Sequence, residues 1–492
     1  MSTDMTSQSP SEPEGLARLR ETVARDLARI SYGTKPWSPA HTHRGEPVLD
    51  VAIVGAGQGG LAASFALRRI GIHNAQVFDR AGRGGEGPWI TFARMITLRT
   101  PKHVTGPDMG IPSLTAQSWF EARYGAQAWE ELDKISRHDW QAYLDWVRDV
   151  LDLPVVNDHA LVETAWDHGV LRLTFETSSG ERVVRYARKL VLATGIDGGG
   201  AWHVPPEIAS ALSPDFYAHT HQTIDFERLR GKRIGVLGAG ASAFDNAATA
   251  LEAGAGRVDL CLRRRALPTV NPYRWMENAG FLAHFHALPD LLRWRFMRHI
   301  YDLNQPPPQD TFWRCRKHAN FAFHTATPWE TVRQVDGANG PEIAVDTPDG
   351  EMRFDFAIIG TGFVIDLTRR PETAGFASDV LLWRDHYTPE DGEENQLLGS
   401  HPYLGPDYQF QPRDGAAEPG MLGAIHNFTF AATPSMGLSG ASISGMRFGV
   451  ERLARGIARD LFVADGAAHL NSLLAYQVPE LTSLEPPVEI MS

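Results

Sequence analysis

The sequence predicts an α/β fold in which one strand–turn–helix unit is interrupted by a second copy of itself. Three observations carry this. An apolar strand starting at Val51 runs into Gly-x-Gly-x-x-Gly, with Gly55, Gly57 and Gly60 in the fixed places. The same strand and turn recur from Ile234, with Gly238 and Gly240, and with Ala243 in the last place. Each copy is followed, further along, by a hairpin and an apolar strand ending in Thr-Gly, at Thr194-Gly195 and at Thr361-Gly362. In such a turn the glycines permit a tight bend and let the backbone approach a pyrophosphate, which rests on the helix N-terminus. One fingerprint alone is weak evidence. Two, each with the rest of its unit, predict two Rossmann-like dinucleotide-binding domains, the second inserted into the first, in a protein that passes electrons between two dinucleotides.

The elements follow in order. Residues 1–47 are polar and punctuated by prolines, with helical pattern from Gly15 to Ile30, and are expected to form an arm over the domain or a neighbouring subunit, or a disordered tail. The first unit, 48–228, opens on the fingerprint strand and a helix from Gly60 to Ile70. Its second strand, from Ala75 to Phe78, ends at Asp79, where an acidic residue binds an adenosine ribose. Gln117 to Leu151 reads as helix, and a meander follows through Leu161–Trp166, Val170–Thr177 and Arg182–Tyr186. The second unit is expected over 229–338, with an aromatic- and His-rich insertion at 268–335 in which Pro306, Pro307 and Pro308 exclude regular helix. Residues 339–492 return to the first unit through a hairpin closed at Pro348-Asp349-Gly350, then through the small-residue run Ser435–Gly445 into an amphipathic helix ending near Leu461.

Composition narrows the function classes. A chain of 492 residues with 43% apolar and 22% charged residues is long enough for two or three domains with real cores. A net charge of −12 argues against nucleic acid or an anionic membrane as the main partner. The N-terminus has no signal pattern and no apolar run would span a bilayer, so a cytoplasmic location is expected. Cys261 and Cys315 form no redox or metal pair, and the scattered histidines give no metal site.

At this point the chain, over roughly residues 48 to 460, resembles the class B flavin-dependent monooxygenases, which include the flavin-containing, N-hydroxylating and Baeyer–Villiger enzymes. The residues that carry the resemblance are Gly238-x-Gly240-x-Ser242-Ala243-x-Asp245-x-Ala247, the segment Asp355 through Gly362-Phe363, and Gly84-Gly85-x-x-x-Trp89. The family's Phe-x-Gly signature between the units is absent; the matching stretch is Phe216-Tyr217-Ala218-His219-Thr220-His221. The segment after Trp89 also lacks the Baeyer–Villiger features, which makes that reaction doubtful.

The resemblance implies FAD at the first fingerprint, with Gly55, Gly57 and Gly60 under its pyrophosphate and Asp79 on its ribose. It implies a nicotinamide dinucleotide at the second, around Gly238, Gly240, Ser242 and Ala243. There the second strand ends in Arg263-Arg264-Arg265 rather than an acid; Arg263 and Arg264 would bind a 2′-phosphate, favouring NADPH over NADH. Arg80, Trp89, Thr194, Gly195, Thr361, Gly362, Ser439 and Gly440 are further cofactor-contact candidates. The helix after Ser439-Gly440 would point its positive end at the flavin pyrimidine ring. His221 is the candidate catalytic residue, donating to the nicotinamide cofactor; the alternative is a linker residue packed between domains. Asp245 reads as part of a variant capping box with Ser242. Arg94, Arg99, Lys102 and Arg274 could pair with a substrate carboxylate. The implied activity is monooxygenation through a C4a-(hydro)peroxyflavin, consuming NADPH and O2 and oxidising a small organic substrate. N- or S-oxygenation leads; Baeyer–Villiger oxidation and hydroxylation of a nitrogen heteroaromatic ring remain open. A nicotinamide-dependent reductase, a non-catalytic flavin-bound sensor and a homodimeric assembly are the other expectations carried forward.

Overall fold

The computed structural model describes residues 13–338 and 340–483. Two parallel arrays of five strands organise the chain on the same plan, the first as part of an eight-stranded mixed sheet and the second as a sheet of its own. In the first, the strands lie in the order Val155–Val156, Ala75–Phe78, Glu46–Val54, Arg182–Leu192, Ile425–Asn427, all parallel. In the second the order is Phe321–His324, Arg257–Cys261, Arg233–Leu237, Phe356–Ile359, Tyr217–His219, again all parallel. A central parallel strand is covered on both faces and so reads as a continuous apolar run. Val51, Ala52 and Ile53 in the first sheet, and Ile234 and Val236 in the second, are accordingly fully buried.

Each unit carries an antiparallel meander, continuous with the parallel strands in the first and a separate three-stranded sheet in the second. His159–Asp167 and Val170–Thr177 pair ahead of Arg182–Leu192, which then continues into the parallel sheet as one long strand. In the second unit the meander is Thr331–Gly337, Gly340–Thr347 and Gly350–Phe354. Here the chain breaks at Asp355, whose carboxylate takes a backbone and two guanidinium hydrogen bonds from Arg233, before resuming as Phe356–Ile359.

The sheets move the expected internal boundaries. Tyr217–His219 and Phe356–Ile359 pair in the second sheet, outside the expected span 229–338. Within the expected insertion 268–335, Phe321–His324 is an edge strand of that sheet and Thr331–Gly337 starts the meander. Pro272–Met276, Ala279–His284 and Asp290–Leu303 form a helical segment with its own apolar core, and after the three prolines helix Gln309–Arg316 packs back on the core of the second unit. The apolar core of this segment is completed by Trp383, Leu398 and Leu438 from the C-terminal part of the chain. Residues 1–12 of the expected N-terminal arm lie outside the described residues; the rest packs on the first unit, where helix Glu14–Arg29 buries Leu16, Val23 and Leu27. Among the described residues no helix is long and apolar enough to cross a membrane.

Candidate functional site

The two glycine turns are built alike. Gly55 has φ of 105° and Gly238 of 110°, a region that favours glycine. A Cβ on Gly55 would lie 2.4 Å from the Ala193 carbonyl oxygen, and one on Gly238 2.3 Å from that of Gly360. Each Thr-Gly strand end is therefore pressed against its own turn, setting Thr194-Gly195 beside the first fingerprint and Thr361-Gly362 beside the second. Gly57 and Gly240 are the N-caps of helices Gln58–Arg69 and Ala241–Glu252, and neither helix has a side-chain cap. Nothing lies within 4 Å of the Cβ position of either glycine. Open backbone over an uncapped helix N-terminus is what a dinucleotide pyrophosphate requires, and both turns fit one.

The first cradle has further walls. The Gly440 carbonyl oxygen lies 2.9 Å from where a Cβ of Gly59 would be, and Ser439 Oγ donates to Thr429 O at 3.4 Å. The 22-residue helix Ile443–Ala464 starts here, capped by no side chain, so a second set of helical N–H groups converges on the first turn. Trp89 is half-buried, edge-on to Trp140 at 6.3 Å, and the Trp140 indole N–H donates to Gln58 Oε1 at 3.2 Å. Thr194 Oγ1 is buried without a protein partner. Asp79 accepts from the backbone N–H of Ala56 at 2.7 Å and of Ala81 at 2.8 Å, bracing the glycine turn from the next strand. Burial pushes its carboxyl above the usual range, and the two backbone bonds oppose that. Arg80 is exposed beside it.

At the second cradle Ala243 replaces the last glycine, and the room comes from across the strand. A Cβ on Gly360 would sit 2.7 Å from that of Ala243, so a glycine on the Thr-Gly strand makes space for the alanine. Ser242 is exposed in the first turn of the helix. Arg263 and Arg264 are both exposed past the end of Arg257–Cys261, and Arg264 also donates to Asp302 O at 3.3 Å. Thr361 Oγ1 donates to the His203 carbonyl, and Gly362 O accepts from His203 N at 3.0 Å.

His221 lies between the two clusters, half-buried. Its ring stacks on Trp202 with centroids 4.9 Å apart and planes 8° from parallel. Phe92 meets both rings edge-on, and Phe363 meets Trp202 the same way. His221 Nδ1 is 2.8 Å from Nδ1 of the fully buried His219, so one ring donates and the other accepts. Burial, then the charge of His221, lowers His219 to about 4. Burial also lowers His221, with Asp197 opposing it and Arg80 adding to it. Both shifts favour the neutral rings, and a single proton lies between the two Nδ1 atoms.

Asp245 does not act as a helix cap. Its carboxylate is buried and accepts from Arg99 at 3.0 Å, from Thr311 Oγ1 at 3.1 Å and from Arg314 at 3.5 Å. The cations considered for a substrate carboxylate are engaged. Arg99 is on Asp245, Arg274 on Glu277 at 3.2 Å, Lys102 on the Trp129 carbonyl at 2.6 Å, and Arg94 on the carbonyls of Thr91 and Gln222. Sequence reasoning missed Gln58, Gly360 and Trp202. The first two sit inside or beside motifs already singled out and could have been found there; Trp202 has no local signal.

Similarity to known proteins decides the family. The family model for L-lysine 6-monooxygenase/L-ornithine 5-monooxygenase matches residues 125–305, and one for FAD-NAD(P)-binding matches 52–197. The chain is 45% identical over 476 residues to the FAD-dependent urate hydroxylase of Xanthomonas campestris pv. campestris, covering 96% of this chain and 98% of that protein. The chain belongs to the class B flavin-dependent monooxygenase family. It is a flavoprotein oxidoreductase, with FAD and a nicotinamide dinucleotide as cofactors. The fold of this flavin-dependent monooxygenase is also that of solved N-hydroxylating enzymes. The Kutzneria ornithine N-hydroxylase aligns with a TM-score of 0.65 at 16% identity, covering 84% of this chain and 100% of that one. L-lysine 6-monooxygenase from Pseudomonas syringae gives 0.61 at 19%, covering 84% and 99%. The bacillithiol disulfide reductase of Bacillus cereus aligns at 0.51 and 16% identity, covering 84% and 99%, so the architecture by itself does not separate monooxygenase from reductase.

Proposed function

We propose that this monooxygenase hydroxylates a ring carbon of urate, with NADPH as the electron donor. The carrying observation is the 45% identity to a urate hydroxylase along 96% of the chain. This favours the heteroaromatic-ring reaction over N- or S-oxygenation. The balanced reaction consumes urate, NADPH, a proton and O2, and yields hydroxylated urate, NADP+ and water. FAD, when bound, supplies the oxygen-activating chemistry. The protein's part is to hold, orient and shield. Gly55, Gly57, Gly60, Asp79, Thr194 and the Ser439-Gly440 turn hold FAD, with Trp89 and Arg80 at the edge. Gly238, Gly240, Ser242, Ala243, Thr361 and Gly362 hold the nicotinamide dinucleotide, with Arg263 leading Arg264 on the 2′-phosphate. His221, kept neutral and stacked on Trp202, orients the nicotinamide end and can hold a proton at the junction of the two units.

The test is oxygen uptake and NADPH oxidation with urate, ornithine and lysine in turn, with product identified by mass. Urate consumed one-to-one with O2 and NADPH supports the proposal. Hydroxylamine formation from ornithine or lysine would replace it with the amine reading, which the family match at 125–305 favours. Peroxide alone with every substrate would return the reductase.

A further inference from the structure

Arg99 and Asp245 are 146 positions apart in sequence and belong to different units. Asp245 sits in the second fingerprint helix, whose first turn faces the nicotinamide cradle. Arg99 is on the loop that follows Trp89 in the first unit. The Asp245 side chain is 2% exposed, and its other partners, Thr311 and Arg314, come from helix Gln309–Arg316. The two units therefore meet on one buried carboxylate, with helix Gln309–Arg316 packed on the nicotinamide side of the contact. A buried carboxylate that loses a cationic partner is strongly unfavourable, so the contact is held in one geometry.

The connection continues from the other end of Arg99. Its carbonyl oxygen accepts from Arg274 at 2.6 Å. Arg274 pairs with Glu277 at 3.2 Å, and the other oxygen of Glu277 accepts from Ser444 Oγ at 2.7 Å. Ser444 is in the first turn of Ile443–Ala464, the helix that converges on the flavin cradle. An unbroken hydrogen-bonded line thus runs from the nicotinamide helix, through Arg99, Arg274 and Glu277, to the start of the flavin-facing helix.

We propose that Arg99 and Asp245 are positioning residues for hydride transfer: their ion pair fixes how the nicotinamide unit sits on the flavin unit. Neither touches the reacting atoms. The pair acts by setting the approach of two cofactors held on different sheets, and displacement of reacting groups by about 1 Å costs up to ~100-fold in rate. This rests on the flavin monooxygenase activity and not on urate being the substrate.

The test uses FAD-loaded Arg99→Met, Asp245→Asn and the double variant. Anaerobic flavin reduction at saturating NADPH, with and without urate, is expected to slow about tenfold or more in each single variant. The double variant should be no slower than the worse single one, as coupled residues require. Reaction of dithionite-reduced enzyme with O2 should keep its wild-type rate. Amide exchange in the holoenzyme supplies a readout independent of turnover: protection should fall together around Asp245, Arg274 and Ser444. Lys134→Ala, which breaks the exposed Lys134–Asp310 pair between the same two parts, is expected to leave both readouts unchanged. If Arg99→Met fails to load FAD, Arg99→Lys takes its place, keeping the charge but losing the guanidinium geometry. Wild-type reduction rates in a loaded variant that has lost the Arg99–Asp245 pair would overturn the proposal. So would equal slowing of both half-reactions with a matching drop in melting temperature, the mark of a merely structural contact.

Discussion

The two dinucleotide units share one plan and differ in how a few of its positions are filled. In both, the fingerprint strand feeds an uncapped helix through a glycine at positive φ, and a Thr-Gly strand end crowds that glycine. Both sheets also finish on a short fifth strand carrying a buried histidine, His426 beside Val191 in the first and His219 beside Ile359 in the second. The origin of that strand differs. Ile425–Asn427 comes from the far C-terminal segment, whereas Tyr217–His219 precedes its own fingerprint, which is the signature of one unit inserted into the other. Asp79, the acidic residue after the second strand, has the apolar Leu262 at its counterpart, and Arg80 has Arg263. The last glycine, Gly60, has Ala243. The comparison teaches that glycine is kept where a Cβ would meet backbone that cannot give way, and can be replaced, as at Ala243, where a glycine across the strand, Gly360, makes the room.

The largest effect that could break this comparison is at the last fingerprint position. A Cβ on Gly60 would sit 1.7 Å from the Gly55 carbonyl oxygen, with no flexible atom to give way. Gly60→Ala is expected to abolish soluble FAD-loaded protein, read by flavin absorbance per chain. The reverse change in the second unit, Ala243→Gly, should cost only about 1 kcal/mol of helix stability, read by thermal melting. Similar effects at the two positions would mean that the turns are not built as described.

The second contrast separates fold from ligand. Gly57 and Gly240 have open space where a Cβ would go, so Gly57→Ala and Gly240→Ala should melt near wild type. The added methyl would instead meet the pyrophosphate. Gly57→Ala is expected to weaken FAD about tenfold or more and Gly240→Ala to weaken NADPH by a like factor, each sparing the other cofactor. Titration of apoprotein with FAD, and of holoenzyme with NADP+, would show whether the effects stay separate. A smaller, sharper contrast lies past the second strand. Arg263→Ala should raise the KM for NADPH several-fold and Arg264→Ala less, because Arg264 already serves the Asp302 carbonyl. The KM for NADH should barely move, and equal shifts for both nucleotides would remove the 2′-phosphate assignment.

How much of this was legible follows from the length of each signal. The fingerprint strands and helices are long periodic segments, and the pattern from Gly15 to Ile30 falls on helix Glu14–Arg29. The first meander was readable because alternation persists over Val170–Thr177 and its neighbours. The fifth strands, Tyr217–His219 and Ile425–Asn427, have three residues each, too few to show a period. Thr331–Gly337 was absorbed into the insertion because the aromatic run before it masked the change of pattern. The site divides the same way. Of the proposed site, the glycines and Asp79 carry a local sequence signal. The ties of Arg99 to Asp245 and of His221 to Trp202 are made between distant segments that no local pattern connects.

Acid offers the gentlest probe of the comparison, because the two fifth-strand histidines are satisfied differently. Burial lowers both His219 and His426 to about 4, against 6.5 for an ordinary histidine. Their contribution to stability is whole above pH 6.5. As pH falls from 6.5 to about 4, the unfolded chain takes up protons that the folded chain refuses, so stability is lost across that window. His426 Nδ1 faces the Asp407 carbonyl at 2.7 Å and can remain a donor when the ring gains its second proton. His219 faces His221 nitrogen to nitrogen, and protonating both rings would set two N–H groups against each other at 2.8 Å. The second unit should therefore loosen first. Between pH 6.5 and 4, NADP+ affinity is expected to fall before FAD is released, and His219→Gln should flatten the pH dependence of melting more than His426→Gln does. Release of FAD ahead of NADP+ would place the acid-sensitive edge in the first sheet instead, and would deny the histidine pair its part in holding the nicotinamide unit together.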